Sequence, residues 1–388
     1  MNSIPYSTQS IDKKDIKSVL NVLNSKFLTQ GPLVEEFENK ISTYCGSKYG
    51  VAVNSGTSAL HVACMALGFK KGDILWTSPI SFVASSNCAL YCGGKVDFVD
   101  IDPKTYCMCP KKLEEKLIEA KKNNKLPKIV VPVHHTGQSC NMSKIYSLSK
   151  KFDFKIIEDA SHALGGSFKN HKVGSCKYSD VTVLSFHPVK IITTAEGGMA
   201  CTNSKKISTK MRLLRTHGIT KNISEMQKKG EGPWYYEQIL LGYNYRMNDI
   251  EAALGVSQFR KIDKFVKERR KISVRYNKLL KSLPVITPFE LKESYSTYHL
   301  YIILLKLNVT HSSHIKVFNN LRDKGIGINL HYIPIHTHPY YKKLGFKQGQ
   351  FPNAETFYKS AISLPVYPGL TKKAQDKVVQ ILRKALQN

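Results

Sequence analysis

Between residues 50 and 200, short apolar runs rich in β-branched residues alternate with helical spacing, and each run stops at a polar cluster. Val51-Ala-Val53 runs into Asn54-Ser-Gly-Thr-Ser58, and the run from Ile74 meets a proline turn at Pro79. Lys95 to Asp102 ends at Pro103, and Lys128 to Val133 ends at His134-His135. Phe154 to Ile157 ends at Glu158-Asp159, and Val181 to Leu184 ends at Ser185. Short continuous apolar runs bounded by turn signals read as strands buried on both faces. Strands that alternate with helices predict a mostly parallel α/β sheet, because parallel neighbours need a crossover between them. Such sheets bind their ligands at the carboxyl ends of the strands. Here the polar clusters fall at those ends, and Met199 to Thr202 reads as a return strand.

Two of these ends carry reactive groups. After Ser185 the chain continues Phe186-His187-Pro188-Val189-Lys190, with Thr193-Thr194 and Gly197-Gly198 as a tight exit. An ordinary surface lysine is the default in a chain this rich in Lys. A lysine pinned between apolar strands differs, because desolvation favours the neutral amine that attacks carbonyl groups. Asp159 ends a strand 31 positions earlier, and Ser185 lies five before the lysine. A strand-end Asp, a strand-end Lys and that Ser form the set a pyridoxal-phosphate enzyme needs: an amine for the aldehyde and a carboxylate for the pyridine nitrogen. Asn54 to Ser58 precedes an apolar helix from Leu60 to Leu67. Small residues at a helix start leave N–H groups free to hold a phosphate, although helix capping by Ser or Thr explains the same residues.

The rest of the chain frames this region. Ser10 to Leu23 and Leu33 to Tyr44 have helical spacing, separated by a loop around Gly31-Pro32. A helix is predicted from Ile250 to Phe259, then a long charged helix to about Leu283 that crosses into a second unit. Strands are predicted at Leu300 to Leu305, after Gly325 and at Ile362 to Pro365, before a final amphipathic helix. A length of 388 residues makes two domains the expectation, 1–260 and 261–388.

Composition removes several classes. No apolar run approaches the ~18 residues of a membrane span, and Met1 to Pro5 does not begin a secretory signal. The nine cysteines are scattered, without zinc-finger spacing, so reduced thiols in a cytoplasm are expected, with no metal site. The net charge of +29 is spread along the chain in Lys pairs, and no aromatic-interleaved RNA motif accompanies it. It reads as a solvated surface whose field would also help to capture an anionic ligand.

These motifs together resemble the sugar aminotransferases of the DegT/DnrJ/EryC/StrS family, from Tyr6 to about Pro365. The resemblance implies an α/β protein of the aspartate-aminotransferase fold type, fold type I. Its large, mostly parallel-sheet domain carries an N-terminal substrate segment, and a smaller C-terminal α+β domain follows. It implies pyridoxal 5′-phosphate, or its amino form, as cofactor. Lys190 would hold it, Asp159 would face the pyridine nitrogen, and Gly56, Thr57 and Ser185 would hold the phosphate. His162 would lie beside the ring and Phe82 would stack on it. Asn244 would reach the phosphate of a neighbouring protomer, which implies a homodimer with shared sites. Substrate contacts would come from Tyr6, from Lys26-Phe27-Leu28-Thr29, and from Asn329-Leu330-His331-Tyr332. Gly56, Ser185 and Asn244 would face the substrate as well.

Within the family, Thr77 to Ser85, Lys190 to Gly198, Gly137 to Cys140 and Asn24 to Gly31 resemble the branch that serves pseudaminic acid biosynthesis. That implies L-glutamate as donor and, as acceptor, the 4-keto carbon of UDP-2-acetamido-2,6-dideoxy-β-L-arabino-hexos-4-ulose. His134-His135 departs from that branch's pattern. The alternatives are perosamine- or bacillosamine-type 4-amination, 3-amination, or, prompted by the charge, a regulatory or nucleic-acid-binding protein on this fold. A binding module would need none of Lys190, Asp159 and Ser185.

Overall fold

The structure, a computed structural model, describes residues 3–228, 230 and 232–387. Seven strands form the main sheet: Tyr49–Val53 (β1), Ile74–Thr77 (β2), Lys95–Phe98 (β3), Ile129–Val131 (β4), Lys155–Asp159 (β5), Val181–Ser185 (β6) and Gly198–Thr202 (β7). Their order is β1-β7-β6-β5-β4-β2-β3. Neighbours from β3 to β6 are parallel, and β7 is antiparallel to both β6 and β1. Only β7 therefore runs against the others, as expected of the return strand.

Two predicted strands stop early. β3 ends at Phe98 rather than Asp102, because the Asp100 carboxylate turns away to accept from the N–H groups of Asn353 and Ala354 (2.9 and 3.0 Å). That carboxylate thereby serves the start of the helix Pro352–Ser360. β4 ends at Val131, because Pro132 has no N–H to donate. Val133 rejoins the sheet only as an isolated bridge to Asp159. The segment after Gly325 makes isolated bridges, Ile4 to Ile326 and Asn329 to Ser363, instead of the predicted strand. The helix predicted from Leu60 starts at Gly56, because Ser55 caps it by accepting from Ser58 N–H.

A second sheet is formed by Val285–Ile286 (β8), Tyr301–Leu305 (β9) and Ala361–Leu364 (β10), all antiparallel. The charged helix ends at Leu279, earlier than Leu283. β9 is apolar on both faces for a reason that its two-residue period makes plain. Tyr301, Ile303 and Leu305 enter a C-terminal core with Val378 and Leu382. Leu300 and Ile302 enter the core of the main sheet. Ile4 also lies in the C-terminal core, so the N-terminal segment starts on that side of the molecule.

Candidate active site

A cavity of about 420 Å³ collects the segments that follow β1, β2, β4, β5 and β6. Tyr6, Gly56, Thr57, Phe82, Asp159, His162, Ser185, Lys190, His331 and Tyr332 all line it. Ten of the residues singled out in the sequence thus meet in one place.

Lys190 stands on a loop with little freedom. Phe186, Ile191 and Ile192 are buried in the core. The loop is tied back by Phe186 N–H to Gly197 O (2.9 Å) and by Thr194 N–H to Phe186 O (3.0 Å). The lysine is half-buried in the cavity wall. Burial lowers its pKa to about 8, although the Asp159 charge pulls the other way. An amine with that pKa is still mostly protonated near physiological pH, but its neutral fraction is far larger than that of an ordinary lysine.

Asp159 ends β5 and faces the cavity, whereas Glu158 takes the opposite side of the strand, as the alternation of side chains requires. Asp159 is 5% exposed. Its Oδ2 accepts from Ser85 Oγ at 2.6 Å, and its Oδ1 accepts from Ser161 N–H at 3.1 Å and Ser161 Oγ at 2.6 Å. Glu158 is bonded to His134 Nε2 (2.7 Å) and to Ser179 and Thr182.

The pair that departs from the branch pattern is thereby placed. His134 belongs to the Glu158 network and is fully buried. His135 lies behind His162 and Tyr332, with ring centroids 6.2 and 6.0 Å away. Burial pushes its pKa down to about 3, so it is neutral. Neither ring lines the cavity.

His162 does line the cavity, with Nε2 3.2 Å from the Tyr332 hydroxyl. Burial, then the charge of Lys190, holds its pKa far below the usual value. Gly56 opens the helix Gly56–Ala66 beside Ser185, where a Cβ would come within 3.1 Å of Ser185 Cβ. Backbone N–H groups and two hydroxyls, Thr57 and Ser185, therefore border one corner of the cavity. Phe82 is 58% exposed and stands 6.3 Å from Tyr332. Tyr6 packs against His331 at 5.6 Å.

The remaining expected contacts lie outside this cavity. Asn329 is exposed, and Leu330 follows it without reaching the wall. Lys26, Phe27, Leu28 and Thr29 are all exposed, as is Asn244. The 26–29 loop meets the start of the helix that follows Asn244: Thr29 bridges Asn248, and Asp249 N–H donates to Leu28 O at 3.0 Å, whereas Asn244 bridges Thr216. Sequence reasoning missed Ser85, Ser161 and His299. His299 lines the cavity 4.4 Å from the His162 ring, and no local sequence signal marks it. Ser161, two residues past a strand-end Asp, forms an Asx-type turn that could have been read from the sequence.

The residues present fit pyridoxal phosphate. A helix start with free N–H groups suits the phosphate, a buried carboxylate with acceptor capacity left suits a protonated ring nitrogen, and a lysine of depressed pKa suits the aldehyde. Fold and site together define a pyridoxal-phosphate-dependent transferase of fold type I. The model of the DegT/DnrJ/EryC1/StrS aminotransferase family matches residues 9–383. The chain belongs to that family. It is 38% identical over 386 residues to the UDP-4-amino-4,6-dideoxy-N-acetyl-β-L-altrosamine transaminase of Campylobacter jejuni, covering 98% of each chain. It is 37% identical to the spore coat polysaccharide biosynthesis protein SpsC of Bacillus subtilis, covering 98% of this chain and 96% of that one. Helicobacter pylori PseC, an aminotransferase involved in the biosynthesis of pseudaminic acid, superposes with a TM-score of 0.89 at 33% identity over 99% of both chains. Among the described residues no helix is long and apolar enough to cross a membrane, and no group of three or more His, Cys, Asp or Glu is placed to hold a metal.

Proposed function

We propose that this enzyme moves an amino group from L-glutamate to the 4-keto carbon of UDP-2-acetamido-2,6-dideoxy-β-L-arabino-hexos-4-ulose, in pseudaminic acid biosynthesis. The carrying observation is the opposed pair of Lys190 and Asp159 in one cavity, in a chain so similar to the C. jejuni transaminase. The cofactor supplies an electron sink for the carbon that loses its proton. Lys190 would anchor it and, as a free amine, would hold and move the proton taken from the substrate carbon. Asp159 keeps the ring nitrogen protonated. Gly56, Thr57 and Ser185 would hold the phosphate, Phe82 would cover one face of the ring, and His162 would stand beside it as a neutral imidazole. Tyr6, His331 and Tyr332 wall the substrate side.

A homodimer with shared sites completes this reading. Lys26 to Thr29 and Asn244 are exposed and lie outside their own cavity, as residues serving a partner's site would. Ile223, Trp234 and Leu241, 81%, 71% and 74% exposed, precede Asn244 in the chain and suit such an interface. Asn329 and Leu330 would close on substrate from the rim. We assign the large and small domains to 1–260 and 261–388, of which Met1, Asn2 and Asn388 lie outside the described residues, as do Lys229 and Glu231. Nine unpaired cysteines support a cytoplasmic location.

The test is incubation of purified protein with glutamate and a panel of UDP- and GDP-linked ketosugars, with the products analysed by NMR. A C4 amine on the named sugar is expected. Amination at C3, or turnover confined to another ketosugar, overturns the assignment.

A further inference from the structure

Asp159 is held by a chain of hydroxyls that begins beyond the residues that the resemblance identifies. The Ser81 and Ser85 hydroxyls are 2.6 Å apart, and Ser85 Oγ is 2.6 Å from Asp159 Oδ2. An ionised carboxylate only accepts, so the single hydroxyl proton of Ser85 goes to Asp159. The Ser81 proton must then go to Ser85, and the chain has one direction: Ser81 to Ser85 to Asp159. Ser81 and Ser85 are 3% and 0% exposed, so both hydroxyls are withdrawn from bulk solvent.

The support beneath the chain is rigid. Ser85 lies in the first turn of the helix Ala84–Tyr91. The next two residues fasten that helix to a segment distant in the chain: Ser86 Oγ meets the Tyr341 hydroxyl, which donates to Asn87 Oδ1 at 2.6 Å. Phe82 leaves the same segment toward the cavity. One stretch of chain therefore presents both the residue placed to cover a ring face and the residue that orients the carboxylate.

A carboxylate has about four acceptor sites. Ser85 Oγ, Ser161 N–H and Ser161 Oγ occupy three on Asp159. About one remains for a donor in the cavity. Three donors also fix the orientation of the carboxylate, so that its free acceptor site is presented to the cavity.

We propose that Ser85, supported by Ser81, is a positioning residue of this enzyme: it fixes the Asp159 carboxylate and keeps the cofactor ring nitrogen protonated. This rests on the assignment of Asp159 to that nitrogen. Holoenzyme loaded with pyridoxal phosphate labelled with ¹⁵N in the ring reports nitrogen protonation directly by NMR. Ser85→Ala should move the ring signal toward the unprotonated position and lower kcat by about 10- to 100-fold, the usual cost of losing such a supporting bond, with little change in the KM for glutamate. Ser85→Thr keeps the hydroxyl and should return the signal and most of the rate. Ser81→Ala should move both in the same direction by less.

Asp159→Asn separates the two ideas. If Asp159→Asn shifts the nitrogen signal and Ser85→Ala does not, the hydroxyl chain is only structural and the proposal falls while the role of Asp159 stands. If neither shifts it, the assignment of Asp159 falls and takes the proposal with it. Should Ser85→Ala not fold, Ser81→Ala carries the test, and an unmoved signal in that variant overturns the proposal.

Discussion

Two sets of side chains expected to serve one reaction lie in opposite physical settings. Lys190, Asp159 and His162 sit at strand ends or just past them, in one cavity of a single chain, and the Asp159 oxygens are already hydrogen-bonded. Lys26 to Thr29 and Asn244 lie on exposed segments outside that cavity. The first set is organised by the sheet: five parallel strands deliver their carboxyl ends to one point, so the reactive groups need nothing further to be in place. The second set has a defined backbone but stands exposed outside the cavity of its own chain. The first set is built into the core, whereas the second would need the proposed partner copy to complete it.

The comparison can be broken most severely at the cavity floor. Lys190→Ala should reduce transamination to the background rate, and borohydride treatment of wild-type holoenzyme should fix the cofactor on Lys190, as read by peptide mass spectrometry. Full activity in the variant would end the mechanism. Asp159→Asn should still fold, because size is conserved, yet lose several powers of ten in rate. Unchanged turnover would make Asp159 a carboxylate of the core edge only.

A pH test probes the same floor. Because burial lowers the Lys190 pKa to about 8, its amine is protonated below that value and neutral above it. The rate at which cofactor-free enzyme captures pyridoxal phosphate should therefore rise about tenfold per pH unit below pH 8 and level off above it. An inflection near the ordinary lysine value would mean that the amine is solvated.

Smaller effects should come from the exposed set. Asn244→Ala should weaken cofactor retention by about 1–3 kcal/mol, the loss of a bond to a charged group. Mixed dimers of Lys190→Ala and Asn244→Ala protomers should regain activity in one of their two sites, since the proposed shared-site dimer, if isologous, would leave that site wholly wild type. Mixing that restores nothing beyond the sum of the separate variants would place Asn244 in its own chain and remove the contrast between the two sets. The smallest effect is expected at Phe82: Phe82→Ala should cost about 1 kcal/mol of cofactor affinity through lost stacking. A loss many times larger would show that Phe82 shapes the cavity itself.

The strand ends were legible in the sequence because period, β-branching and a polar stop are local properties. Asp159, Lys190 and Ser185 could be found together for that reason, as could the glycine and threonine that open the helix after β1. Local patterns overran where a distant partner intervened. β3 lost its last residues because Asp100 serves a helix 252 residues later, and this cannot be seen in the run from Lys95 to Asp102.

What the sequence by itself determined is the alternating α/β plan and the reactive groups at its strand ends, since both follow from spacing along a few residues. Only the tertiary structure decided what surrounds those groups. Ser85 reaches Asp159 across 74 positions, His299 reaches His162 from the second sheet's side, and His134-His135 turns out to lie behind the cavity wall. Packing chooses such partners, because a buried polar atom must find whichever complementary group the fold brings within about 3 Å, however far away it stands in the chain.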